Sequence, residues 1–151
     1  MTQGSSNDQI NLEIELSDQQ VADDVQQWLK DNKIKYEPPP HAIVPIIPIV
    51  IGAALGAAAI AALVEYIRRT HACQQTIDAR RTPVVTKTDC SVRNGRVIVI
   101  TKDNQKVEIH DVPQIFDFTK VAKAALSGAA DAVKKAAELA GAKTTVGPAT
   151  S

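Results

Sequence analysis

Ala42 to Val64 reads AIVPIIPIVIGAALGAAAIAALV, 23 consecutive residues without a charge or a strongly polar side chain. The disposition of this stretch decides the fold. As a single α-helix it is about 34 Å long at about 1.5 Å per residue, enough to cross a hydrocarbon core of about 30 Å. Eleven of the 23 residues are Ile, Val or Leu, concentrated early, whereas seven of the eleven from Gly52 to Ala62 are alanine. Pro45 and Pro48 suit a first helical turn or a preceding extended stretch, so the helix is expected to begin there. Tyr36 upstream and Tyr66 downstream stand where interfacial aromatic belts lie, and Arg68 and Arg69 can reach headgroups. Gly52 and Gly56 form a GxxxG pair, extended by Ala53, Ala57 and Ala61. Small residues at that spacing let helix backbones approach closely in lipid, which favours a homo-oligomer. Two other readings stay open: a buried helix of a soluble fold, or a segment hidden between copies of a soluble oligomer until released.

Outward from this stretch the chain is charge-asymmetric. Residues 1–41 hold eight acids and three bases, whereas residues 65–151 hold nine acids and fourteen bases, so −5 balances +5 and the whole is neutral. A general nucleic-acid binder is therefore not expected. Arg68 and Arg69 at the membrane edge place the C-terminal side in the cytoplasm by the positive-inside rule, although Lys30, Lys33 and Lys35 weigh on the other side. The predicted localisation is a single-pass membrane protein.

On the N-terminal side, residues 1–9 are a flexible tail. Residues 10–37 make a strand-helix-strand module: Ile10, Leu12, Ile14 and Leu16 alternate with polar residues, Ser17 and Gln20 suggest a capping box, and Val21, Val25, Trp28 and Leu29 share a helix face. Such a module is too small to stand alone. A Pro-rich spacer, 38–41, leads to the transmembrane helix and its exit, 42–69.

On the C-terminal side, residues 83–112 read as a three-stranded antiparallel β-meander (84–92, 96–101 and 106–112), with Asn94-Gly95 as the first hairpin turn. The central strand is apolar on both sides, so both faces need cover. Residues 115–143 form an Ala-rich amphipathic helix with a seam of Ala122, Leu126, Ala129, Val133, Ala136 and Ala140, suited to its own sheet, to another subunit or to an anionic membrane. Residues 144–151 are a second flexible tail.

No Walker loop, dinucleotide fingerprint, HExxH, GxSxG or CxxC pair occurs, so no catalytic, cofactor-binding or metal-binding residues are expected. His71, Cys73, Cys90 and His110 match no standard zinc spacing. Cys73 and Cys90 pair if they face an oxidising space and stay reduced if they face the cytoplasm, toward which the positive-inside argument leans. The expected fold class is an α+β membrane protein: one transmembrane helix flanked by a small N-terminal strand-helix module and a C-terminal meander with an Ala-rich helix. The expected function is non-enzymatic: a self-assembling membrane conduit or membrane-disrupting component, toxin-like or phage-type, whose partner is the lipid bilayer. Two alternatives are a membrane-anchored adaptor, whose meander or terminal helix binds a cytoplasmic protein, and a subunit of a soluble or virion-like assembly with the apolar segment buried between copies.

Overall fold

The computed structural model describes residues 9–39, 48–113 and 116–149. Its elements are β1 (Ile10–Leu16), α1 (Gln19–Asp31), β2 (Tyr36–Glu37), β3 (Ile49–Leu55), α2 (Ala57–His71), β4 (Gln74–Asp78), β5 (Val84–Asp89), β6 (Val97–Ile100), β7 (Gln105–His110), α3 (Thr119–Ser127), α4 (Ala130–Leu139) and β8 (Lys143–Pro148). The strands form one mixed sheet in the order β2-β3-β1-β5-β4-β6-β7-β8. The β1/β5 and β4/β6 pairs are parallel and the others antiparallel.

The apolar stretch is divided at Gly56, the N-cap of α2. Before it, Ile49 and Ile51 pair with Leu16 and Ile14 of β1. After it, the alanine-rich half forms a helix that buries Ile60, Leu63, Val64 and Ile67. β-branched residues suit the pleated ladder, and alanine suits the helix. The large apolar side chains from Ile49 to Ile67 that enter the core are each 6% exposed or less, a burial that contributes roughly 1.5–3 kcal/mol per side chain. Among the described residues no helix is long and apolar enough to cross a membrane. This overturns the expected transmembrane helix, the membrane fold class and the single-pass localisation with a cytoplasmic C-terminal side. Residues 1–8, the expected start of the helix at Pro45, residues 40 and 41 of the spacer, and its apolar continuation over 42–47 lie outside the described residues.

The expected meander holds for its second and third strands, an antiparallel pair, but not for its first. β6 and β7 are neighbours, but β4 lies between β5 and β6. Asn94-Gly95 therefore closes no two-residue hairpin: Gly95 donates its N–H to Ala72 O, and Gln74 donates to Val92 O, so the loop wraps the start of β4. The Ala-rich segment is two helices with a corner at Gly128. A Cβ there would lie 3.0 Å from Ala124 O and 3.3 Å from Ala132 Cβ, so the close approach of α3 and α4 requires glycine. In place of a capping box, Asp18 accepts from Gln20 N and Val21 N, freeing Ser17 Oγ to donate to Thr88 O and accept from Cys90 N. Residues 143–148, expected to be the last residue of the Ala-rich helix and the start of a flexible tail, are the edge strand β8.

The buried residues of all four described helices join one core cluster with Leu12, Ile14, Ile51, Ile77, Val99 and Val107 of the sheet. Register places these strand residues on a single face, the helix side. No helix of the described residues covers the opposite face. There Val50, Ala54, Ile98 and Ile100 are only half-buried, whereas Val97 and Val99 on the helix side are fully buried. Cover on both faces of the apolar β6 was expected; the described helices supply it on one.

Candidate functional site

The helix-free face is recessed over β3. Alternation sends Val50, Gly52 and Ala54 to this face, and they are too small to fill it. On one side β1 presents Asn11 and Glu13; on the other, Lys35 and Glu37 come from β2 and its approach. The result is a trough of about 830 Å³, with Thr82 and Pro83 also in its lining. Glu13 and Glu37 both stand opposite Gly52, from neighbouring strands on either side of it. Their Cα atoms are therefore two strand spacings apart, about 10 Å, a width that admits one extended chain. A Cβ at Gly52 would meet nothing nearer than Glu37 Cβ at 3.9 Å, so the glycine answers no packing constraint below and leaves the floor open above. Glu15, next on the same face of β1, adds a further carboxylate, and its neighbour on β5 is Lys87.

Beyond the trough, the centre of the face is occupied by its own side chains. Asp78 receives Arg80 Nε at 3.1 Å and Nη2 at 3.1 Å, and Arg81 Nε at 3.4 Å. Arg80 Nη1 also donates to Asn104 Oδ1 at 2.6 Å, which ties the β4–β5 turn to the β6–β7 turn. Burial tends to raise the Asp78 carboxyl, but the hydrogen bonds from Arg80 and Arg81 outweigh it and hold the group below the usual carboxylate range. This cluster covers the neighbouring stretch of sheet rather than opening it.

Most residues singled out in the sequence serve the fold. Gly52 and Ala53 are in β3, Gly56 caps α2, and Ala57 and Ala61 are in α2, so these five present no common helix face. Tyr36 packs against the core from β2. Tyr66 stacks on Trp28 with centroids 6.2 Å apart, and burial, with Asp24 and Asp31 nearby, pushes its phenol upward. Arg68 and Arg69 both pair with Glu65, at 2.6 and 3.0 Å, and Arg68 also donates to Pro113 O. Of the Ala-rich seam, Ala122 and Val133 are buried, Leu126 and Ala136 are partly buried, and Ala129 and Ala140 are exposed. Cys73 and Cys90 form a disulfide that continues the β4/β5 register beyond Gln74 and Asp89.

Sequence reading missed Glu13, Lys35 and Glu37 as a set. The signal available was the alternation of β1, which puts Asn11, Glu13 and Glu15 together, but no local pattern tells that β2 arrives on the far side of β3. By fold the chain is a two-layer α+β protein, with its described helices on one face of a mixed sheet and a polar-walled trough on the other. A scan against protein-family models, a search of curated proteins and a search of solved structures each return no match.

Proposed function

We propose that the protein is a binding module that seats an extended, basic polypeptide segment in the trough along β3. The observation that carries this reading is the pairing of a floor of Val50, Gly52 and Ala54 with walls on which the carboxylates of Glu13 and Glu37 outnumber the one cation, Lys35. Small apolar residues leave room for a backbone and its apolar contacts, while wall carboxylates meet lysine or arginine side chains. The adaptor expectation put its protein partner on the meander or the terminal helix; this reading puts it on β1, β2 and β3, without an anchor. The test is a titration of the isotopically labelled protein with a lysine-rich peptide and with its glutamate counterpart, followed by amide shifts. Perturbation at Asn11, Glu13, Gly52 and Ala54 by the basic peptide alone supports the reading. Equal response to both peptides, or shifts confined to other elements, overturns it.

A further inference from the structure

The two edges of the sheet are built differently. At one, β2 is two residues long and is followed at once by Pro38 and Pro39, a blunted edge. At the other, β8 runs for six residues, Lys143–Pro148, with the β-formers Thr144, Thr145 and Val146 at its centre. Ala149 donates its N–H to Asn104 O at 3.1 Å, one step beyond the Gln105/Pro148 pair. Antiparallel ladders alternate, so Lys143, Thr145 and Gly147 turn their peptide groups toward β7, while Thr144 and Val146 turn theirs outward. Pro148 occupies the next outward position, where a missing N–H costs the ladder nothing.

From this geometry we infer that β8 is the pairing edge of a two-fold homodimer, joining two copies into a continuous sheet. An axis through Thr145 sets Thr144 opposite Val146 of the second copy. Each of these residues then donates and accepts across the junction, and Lys143 faces Gly147 rather than another lysine. The side chains agree with this register. Thr144 and Val146 lie on the helix side, opposite Ile109 and Val107, and Val146 is 41% exposed. Leu139, at the end of α4, is 79% exposed, and its neighbour Glu138 accepts a hydrogen bond from Thr144 Oγ1 at 2.8 Å. Because α4 packs on both β7 and β8, adding a copy at the usual strand spacing brings the two α4 axes to about 10 Å, a normal helix-packing distance.

Charge fits as well. Glu138 stands level with Thr144, and the opposing Val146 is two residues, about 7 Å, along the second copy's strand. That is a little more than one turn of α4, which sets Glu138 against Lys134 of the second copy, and the reverse by symmetry. The interface belongs to the small class, so the dimer is expected to dissociate on dilution.

Analytical ultracentrifugation of the intact chain over two decades of concentration tests this. A monomer–dimer equilibrium is expected. Val146→Pro, which removes an outward N–H and leaves the β7 ladder intact, weakens it about tenfold or more. Lys134→Glu, which touches no strand hydrogen bond, weakens it too, and Lys134→Glu with Glu138→Lys restores it. Far-UV circular dichroism verifies that each variant is folded. A monomer at every concentration, or a dimer that ignores both the proline and the charge reversal, overturns the proposal. Neither result affects peptide binding in the trough, which needs one copy only.

Discussion

Removing the Cys73–Cys90 disulfide should weaken the sheet at its middle. The β4–β5 hairpin joins the two halves: β5 carries β1, β3 and β2 on one side, and β4 carries β6, β7 and β8 on the other. The hairpin is closed at one end by residues 79–83 and at the other by the disulfide, across a sequence separation of 17. In the chain-entropy treatment, a loop of that length restrains the unfolded chain by about 3 kcal/mol at 25 °C. For a chain of 151 residues such a loss lowers the melting temperature by roughly 6–12 °C. Thermal unfolding of the oxidised protein, followed by circular dichroism and compared with the same protein in a non-thiol reductant, isolates the crosslink. The Cys73→Ala/Cys90→Ala variant should match the reduced protein apart from a small packing loss at the buried Cys73 site. If reduction shifts the midpoint by less than about 2 °C, the unfolded chain gains no freedom from the cut and the loop-closure reasoning is wrong.

Gly52→Val should leave stability unchanged or raise it by about 0.5–1 kcal/mol, because the position is in a strand and a Cβ there makes only ordinary contact with Glu37, yet abolish basic-peptide binding by filling the trough. Chemical denaturation and the amide titration read the two effects separately. Asp78→Asn should cost about 2 kcal/mol at neutral pH, from the lost charged hydrogen bonds with Arg80 and Arg81. Because the folded carboxyl is held low, its contribution is present above the pKa of the unfolded aspartate and disappears as the pH falls through the folded value. The gap between wild type and variant in denaturant midpoint should therefore close in acid. Ala72 caps α2 at φ 55°, in the left-handed region; Ala72→Gly should stabilise by about 1 kcal/mol in the same assay.

What the sequence disclosed, and what it concealed, follows from side-chain size on the two faces of the sheet. β1 was legible because its outward positions are Asn11, Glu13 and Glu15, so burial and polarity alternate. β3 was not, because its outward positions are Val50, Gly52 and Ala54; an open face made of small apolar residues looks like a helix apolar all round. The only local sign of the division was the change from β-branched residues to alanine around Gly56. β4 hid for the opposite reason: Gln75 is 2% exposed, with its amide donating to Val64 O at 2.9 Å, so a polar residue sits where a strand pattern calls for an apolar one. Missing β4 turned β5, β6 and β7 into a meander, and missing β8 turned an edge strand into a tail. The trough combined both difficulties. Its floor was assigned to a membrane helix, and its walls come from strands with an entire helix between them in the chain.

The division of the apolar stretch at Gly56 carries the fold, the trough and the proposed function, and backbone chemical shifts with cross-strand nuclear Overhauser contacts test it most directly. Expected are extended-chain shifts over Ile49–Leu55, helical shifts over Ala57–His71, and contacts from Gly52 to both Glu13 and Glu37. Unbroken helical shifts from Pro48 to His71, without those contacts, would contradict it.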